Sequence, residues 1–135
     1  MKSFSKRFIP FFLAMLFLGS SLSAFSFFER SYPDIEGSYL LVGKSKRSAS
    51  SYRGIVEINR VGDNYSLIWK IGTSTTQAGI GIFQGDILSV AFYDLNDPEF
   101  TGVASFRLTD EGNFEGPWAS SNSSGGQGKE TLRRL

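Results

Sequence analysis

From residue 37 onward, apolar and polar positions alternate in short segments separated by glycine, asparagine, aspartate and serine. In residues 65–71, Tyr65, Leu67, Trp69 and Ile71 fall on one face, while Ser66, Ile68 and Lys70 fall on the other. Leu88, Val90 and Phe92 likewise oppose Ile87, Ser89, Ala91 and Tyr93. A period of two is the side-chain repeat of a strand with one face in a core. The pattern predicts eight strands, near residues 37–42, 53–61, 65–72, 76–83, 87–93, 102–108, 113–118 and 129–133. No stretch after residue 30 carries a helical period.

The links between segments decide the topology. Gly62-Asp63-Asn64, Gly72-Thr73-Ser74, Gln84-Gly85-Asp86 and Asp110-Glu111-Gly112-Asn113 all offer residues that tolerate positive φ, as tight hairpins require. Neighbouring strands are therefore expected to be antiparallel. An open meander would leave two unpaired edges, which closure into a barrel removes. The expected closure pairs the strand of Glu130 and Leu132 with that of Tyr39 and Leu41. Gly54, Gly79, Gly81 and Gly116 inside strands fit the bends and close packing of a small barrel. The fold class is thus all-β, a single antiparallel eight-stranded meander barrel over residues 37–135, with a twisted β-sandwich as the alternative from the same strand pattern.

The first 24 residues follow a different grammar. Lys2, Lys6 and Arg7 precede an apolar run of 11 residues, Phe8 to Leu18, and a small, mildly polar stretch ending Ser21-Leu22-Ser23-Ala24. That is the order of a secretory signal peptide, and the run is short of the ~20 residues that span a bilayer. Residues 1–24 are read as a cleaved leader and 25–36 as an N-terminal extension, with Phe25, Phe27 and Phe28 leaving an uncleaved anchor as the alternative. The expected location is outside the cytoplasm, whether periplasmic, on the cell surface or secreted, with no stable membrane span after cleavage.

Composition then narrows the chemistry. Cleavage removes three basic and no acidic residues, leaving 11 Lys and Arg against 13 Asp and Glu, so the +1 charge of the full chain belongs largely to the leader. A net acidic domain argues against general nucleic-acid binding. The absence of Cys and His excludes disulfides, thiol or histidine nucleophiles and the usual zinc sites. No cofactor and no metal are expected, and the protein is read as a non-enzyme. Five of the 20 aromatic residues lie in the leader, and the domain, without disulfides, needs its remaining large aromatics for burial.

Candidate residues fall into four groups. Tyr39, Leu67, Trp69, Phe92 and Trp118 either line an interior cavity for a small hydrophobic ligand or fill the core, since eight strands admit either outcome. Lys44, Lys46, Arg47 and Arg53 form a basic patch near the first hairpin that suits an acidic protein or sulfated glycan partner, or is a solvated loop. Glu130 is expected to point inward and pair with Arg53 or Arg107 as a structural latch. Asp86, Asp94, Asp97, Glu99 and Glu115 are the carboxylates from which a hydrolytic pair would have to come, but most lie in turns where acidic residues serve solubility.

A resemblance covers most of the chain after the leader. Tyr52-Arg53-Gly54-Ile55-Val56-Glu57-Ile58, Gly62-Asp63-Asn64-Tyr65, Trp69-Lys70-Ile71-Gly72, Gly79-Ile80-Gly81-Ile82, Gly85-Asp86-Ile87-Leu88, Gly112-Asn113-Phe114-Glu115-Gly116-Pro117-Trp118 and Gly128-Lys129-Glu130 follow one another in order. As a set they resemble a family of small exported bacterial proteins often called fibronectin-binding proteins. The chain departs from that pattern at Lys44 to Ser51, where the family has a shorter turn, and at Phe106, where it tends to place Tyr. A fainter similarity, through Gly37-Ser38-Tyr39, is to the calycin group of ligand-binding barrels, which includes the lipocalins. The apolar strand faces, the lack of paired catalytic residues and the exposed Lys44 to Arg53 region make the leading expectation a non-catalytic binding protein that engages a macromolecule, such as host extracellular matrix, through its loops and outer wall. A carrier of a small hydrophobic ligand is the alternative, and a carboxylate hydrolase the second alternative.

Overall fold

The computed structural model describes residues 32–46 and 51–135; the expected leader over residues 1–24, and Arg47 of the basic loop, lie outside the described residues. Eight strands follow one another: β1 (Gly37–Lys44), β2 (Ser51–Val61), β3 (Asn64–Ile71), β4 (Thr75–Gln84), β5 (Ile87–Asp94), β6 (Thr101–Leu108), β7 (Phe114–Ser120) and β8 (Gly128–Arg134). Each pairs antiparallel with its neighbours in sequence, and β8 returns to β1 to close a barrel. Closure occurs where the sequence places it, with Leu41 opposite Leu132 and Gly43 opposite Glu130. The sandwich alternative is set aside.

Local chemistry accounts for the hairpins. Gly62 and Gly85 sit at φ of 62° and 66°, the left-handed region that a side chain disfavours, and nothing crowds either position. Most strand ends run a residue or two further than alternation alone predicts, while β3 ends one residue earlier and β7 starts one residue later. In the first hairpin, β1 extends to Lys44 and β2 starts at Ser51, so the ladder continues through Gly43 opposite Tyr52 and Lys44 opposite Ser51. Tyr52 thereby joins the inward-facing row that also holds Gly54, Val56 and Ile58.

The interior is not uniform along the barrel axis. At the end that holds the β2–β3, β4–β5 and β6–β7 turns, Tyr39, Ile58, Leu67, Leu88, Phe106 and Phe114 are fully buried. Phe114 anchors this layer, its ring 5.7 Å from Tyr39 and 6.5 Å from Phe83. Residues 33–36, which the sequence assigns to an extension outside the barrel, close this end. Ile35 is 1% exposed within the core, the Tyr39 hydroxyl donates to its carbonyl at 2.8 Å, and the Tyr65 hydroxyl donates to the Pro33 carbonyl at 3.3 Å. The Arg134 guanidinium clamps the same segment through the carbonyls of Asp34 and Glu36, both at 2.8 Å.

Candidate functional site

The opposite end is built differently. The ends of β3, β5 and β7 and the starts of β2, β4 and β8 surround a cavity of about 280 Å³. Ile71, Phe92 and Phe100 supply apolar walls, Thr75 and Gln77 a polar edge, and Tyr52, Trp118 and Glu130 the remaining side. The interior of the barrel thus has a filled half and an open cup.

Three aromatic residues of the cup are positioned by one repeated device. Tyr52 lies opposite Gly43, Phe92 opposite Gly102, and Trp118 opposite Gly128 across their respective ladders. In each pair a Cβ on the glycine would fall inside or against the partner ring. The missing side chains let the rings lie back on neighbouring strands, which opens the centre of the cup instead of filling it.

Glu130 lies beneath this aromatic wall, 6% exposed, and is the buried charged residue among those described. Its Oε1 accepts from the Tyr52 hydroxyl at 2.7 Å and its Oε2 from Trp69 Nε1 at 3.3 Å, so the carboxyl ties β8 to β2 and β3. The expected partners are corrected: Arg107 pairs with Asp86 on the exterior, and Arg53 is exposed on the outward face of β2. The reason is strand parity. Arg53 alternates with the inward Tyr52 and Gly54, and Arg107 with the inward Phe106 and Leu108, so both guanidiniums face away from Glu130.

Burial pushes the Glu130 carboxyl above the ordinary carboxylate value of 4.5, while the hydrogen bonds from Tyr52 and Trp69 hold it partly back. Burial and the adjacent carboxylate push the Tyr52 phenol far above its ordinary 10.0, so it stays a donor. Trp118 Nε1 lies near enough to the Tyr52 oxygen to oppose that rise slightly, yet it is buried with no aligned hydrogen-bond acceptor. The cup therefore holds one unused buried donor and one buried carboxyl without a cation.

A stability prediction follows from the direction of the Glu130 shift. Between the unfolded value and the raised folded value, the folded state binds more protons than the unfolded one, so this residue's contribution to stability falls as pH rises through that window. Glu130→Gln removes the dependence. Relative to the parent, Glu130→Gln gains stability in urea unfolding as the pH is raised through and above the ordinary carboxylate range, and a constant difference between the two proteins over that rise contradicts the assignment.

The other expected site residues divide by location. Of the anticipated interior wall, Phe92 and Trp118 line the cup, Trp69 lies behind it at 2% exposure with its ring 5.8 Å from Phe92, and Tyr39 and Leu67 belong to the filled half. Lys44, Lys46 and Arg53 are exposed, and Lys129 joins them, paired across the ladder with Lys44. The carboxylates do not gather: Asp86 lies at the closed end with Arg107, Asp94 accepts from the backbone N–H groups of Asn96 and Asp97, and Glu115 is exposed on β7. The lining residues not anticipated are Tyr52, Ile71, Thr75, Gln77 and Phe100. Following the inward rows toward this end, from Gly54 to Tyr52 and from Gly79 through Gln77 to Thr75, finds three of them.

No protein family matches the chain, and no curated protein matches it. Among solved structures it is similar to a redesigned β-barrel, mFAP1, bound to DFHBI, at 15% identity over 74% of this chain and 94% of that one, with a TM-score of 0.62. It is also similar to a de novo designed fluorescence-activating β-barrel, at 16% identity over 74% and 93% of the two chains with a TM-score of 0.60. A second redesigned barrel bound to DFHBI, mFAP0, gives 16% identity over 74% and 98%, with a TM-score of 0.59. At these identities the likeness establishes the closed antiparallel barrel and nothing finer.

Proposed function

We propose that this is an exported, non-catalytic binding protein that holds a small, largely apolar molecule in the open half of its barrel. The observation that carries the reading is the asymmetry of the interior: one end is filled and plugged, whereas the other keeps about 280 Å³ open behind aromatic walls with buried polar groups at its base. A core built only for stability would fill that space, since voids forfeit dispersion contacts and hydrophobic transfer energy. The volume lies just below the range of drug-sized pockets, so the ligand is a molecule of one or two rings. That similar designed barrels are bound to DFHBI supports the same use of the architecture.

Calorimetric titration with 2-naphthol tests the proposal. The parent protein binds this probe saturably, and Thr75→Phe, which adds a ring at the mouth, weakens binding about tenfold or more. Equal binding by the two proteins, or none by the parent, overturns it.

A second reading is favoured by Lys44, Lys46, Arg53 and Lys129, which make one side of the outer wall basic at the same end of the barrel. In this reading an acidic macromolecule, such as a component of extracellular matrix, docks there with strong salt sensitivity. Replacing Lys44, Lys46 and Arg47 by Ser weakens such binding and leaves 2-naphthol binding unchanged.

A further inference from the structure

We propose that the cup selects a small organic cation, an alkyl- or arylalkylammonium whose charge is neutralised by Glu130 and whose apolar body lies among the rings of Tyr52, Phe92, Phe100 and Trp118. This rests on the reading of the cup as a ligand site and goes beyond it by assigning the ligand's charge.

Three features of the site support the assignment. First, both oxygens of Glu130 already act as acceptors, one from a phenol and one from an indole that can only donate, so the carboxyl stands ready-oriented for a cationic ligand that would hold it in the ionised form. Second, that carboxylate has no cation of its own. Among the described residues the ion pairs are Lys70 with Glu57, Arg107 with Asp86 and Arg134 with Asp34, all involving exposed or half-exposed side chains away from the cup. Burying an unpaired charge is costly, and a ligand cation supplies the missing partner. Third, four aromatic rings line the same space, and their faces attract cations most strongly where water is excluded.

The surrounding charges do not pre-empt the site. Lys44 and Lys129 point outward from β1 and β8, and the strands flanking Glu130 present inward only Gly43 and Gly116 beside it. Of the groups lining the cup, only Tyr52 and Glu130 ionise, and Tyr52 stays protonated. The unused Trp118 Nε1 donor adds a second preference, for a ligand that also carries an acceptor oxygen.

The test compares 2-phenylethylamine with 2-phenylethanol, which matches it in shape and lacks the charge. The parent protein binds the amine about tenfold or more tightly than the alcohol, and in Glu130→Gln the ratio of the two affinities falls to about one. Equal affinities in the parent, or a preference that survives Glu130→Gln, overturn the charge assignment and leave the cup standing as a site for neutral molecules. If neither compound binds, the cup reading itself fails. Should Glu130→Gln not fold, the parent decides the matter: its preference for the amine over the alcohol grows as pH rises above the ordinary carboxylate range, and a preference independent of pH overturns the proposal.

Discussion

Trp69→Ala lowers the unfolding free energy by about 3 to 5 kcal/mol and the thermal midpoint by about 15 °C or more. Trp69 is the largest side chain at the boundary between the filled half and the cup, 2% exposed, with its ring 5.8 Å from Phe92. Its removal opens a cavity that the closed sheet cannot collapse to fill, because each of the eight strands is held on both sides. It also strips Glu130 of one of its two donors, leaving a buried carboxyl less satisfied. Trp69→Phe separates the two effects, since it keeps much of the apolar volume and loses only the N–H, and its cost is expected to fall well short of that of Trp69→Ala. Urea unfolding checks both. A loss below about 1 kcal/mol for Trp69→Ala would place the ring outside the packed core.

Gly116→Ala is expected to destabilise by about 3 kcal/mol or more, although it adds a single methyl group. Gly116 faces inward on β7, paired with Glu130 of β8, and a Cβ there would collide with the backbone carbonyl of Ser105 on β6. The β6–β7 ladder is interrupted at this point, passing from Ala104 opposite Trp118 to Arg107 opposite Glu115, where Pro117 has no N–H to give. The strands cross closely there, and no flexible side chain can move aside to make room. Gly62→Ala is the control: it meets no atom and bears only the cost of its positive φ, about 1 kcal/mol. Equal losses at the two positions would show that steric crowding at Gly116 contributes nothing.

Most of the fold was legible because its determinants are local. The alternation of Tyr65, Leu67, Trp69 and Ile71 marks an inward row, and a glycine in each short link marks a hairpin, so strand order follows from chain order. Closure was readable from the same parity, since Leu132 and Leu41 each lie on an apolar row that needs a partner edge. The cup was not legible to the same degree. Whether an aromatic row fills a barrel or lines a hollow depends on which residue faces it across the ladder, and the pairings of Tyr52 with Gly43, Phe92 with Gly102 and Trp118 with Gly128 require the register. The partner of Glu130 was misassigned for a related reason. Charge complementarity suggested an arginine, whereas the pleat turns Arg53 and Arg107 outward and brings Tyr52 and Trp69 to the carboxyl.

The most direct measurement of the central claim, that one end of the barrel is packed and the other receives a small molecule, is nitrogen–proton correlation NMR during titration with 2-naphthol. The protein has two tryptophans and hence two indole N–H signals. The account predicts that the Trp118 indole signal moves furthest, together with the amides of Phe92 and Phe100, while those of Leu67 and Phe114 in the filled half stay in place. Binding that leaves the Trp118 indole unmoved and shifts only Lys44, Arg53 and Lys129 would contradict the interior site and transfer the function to the outer wall.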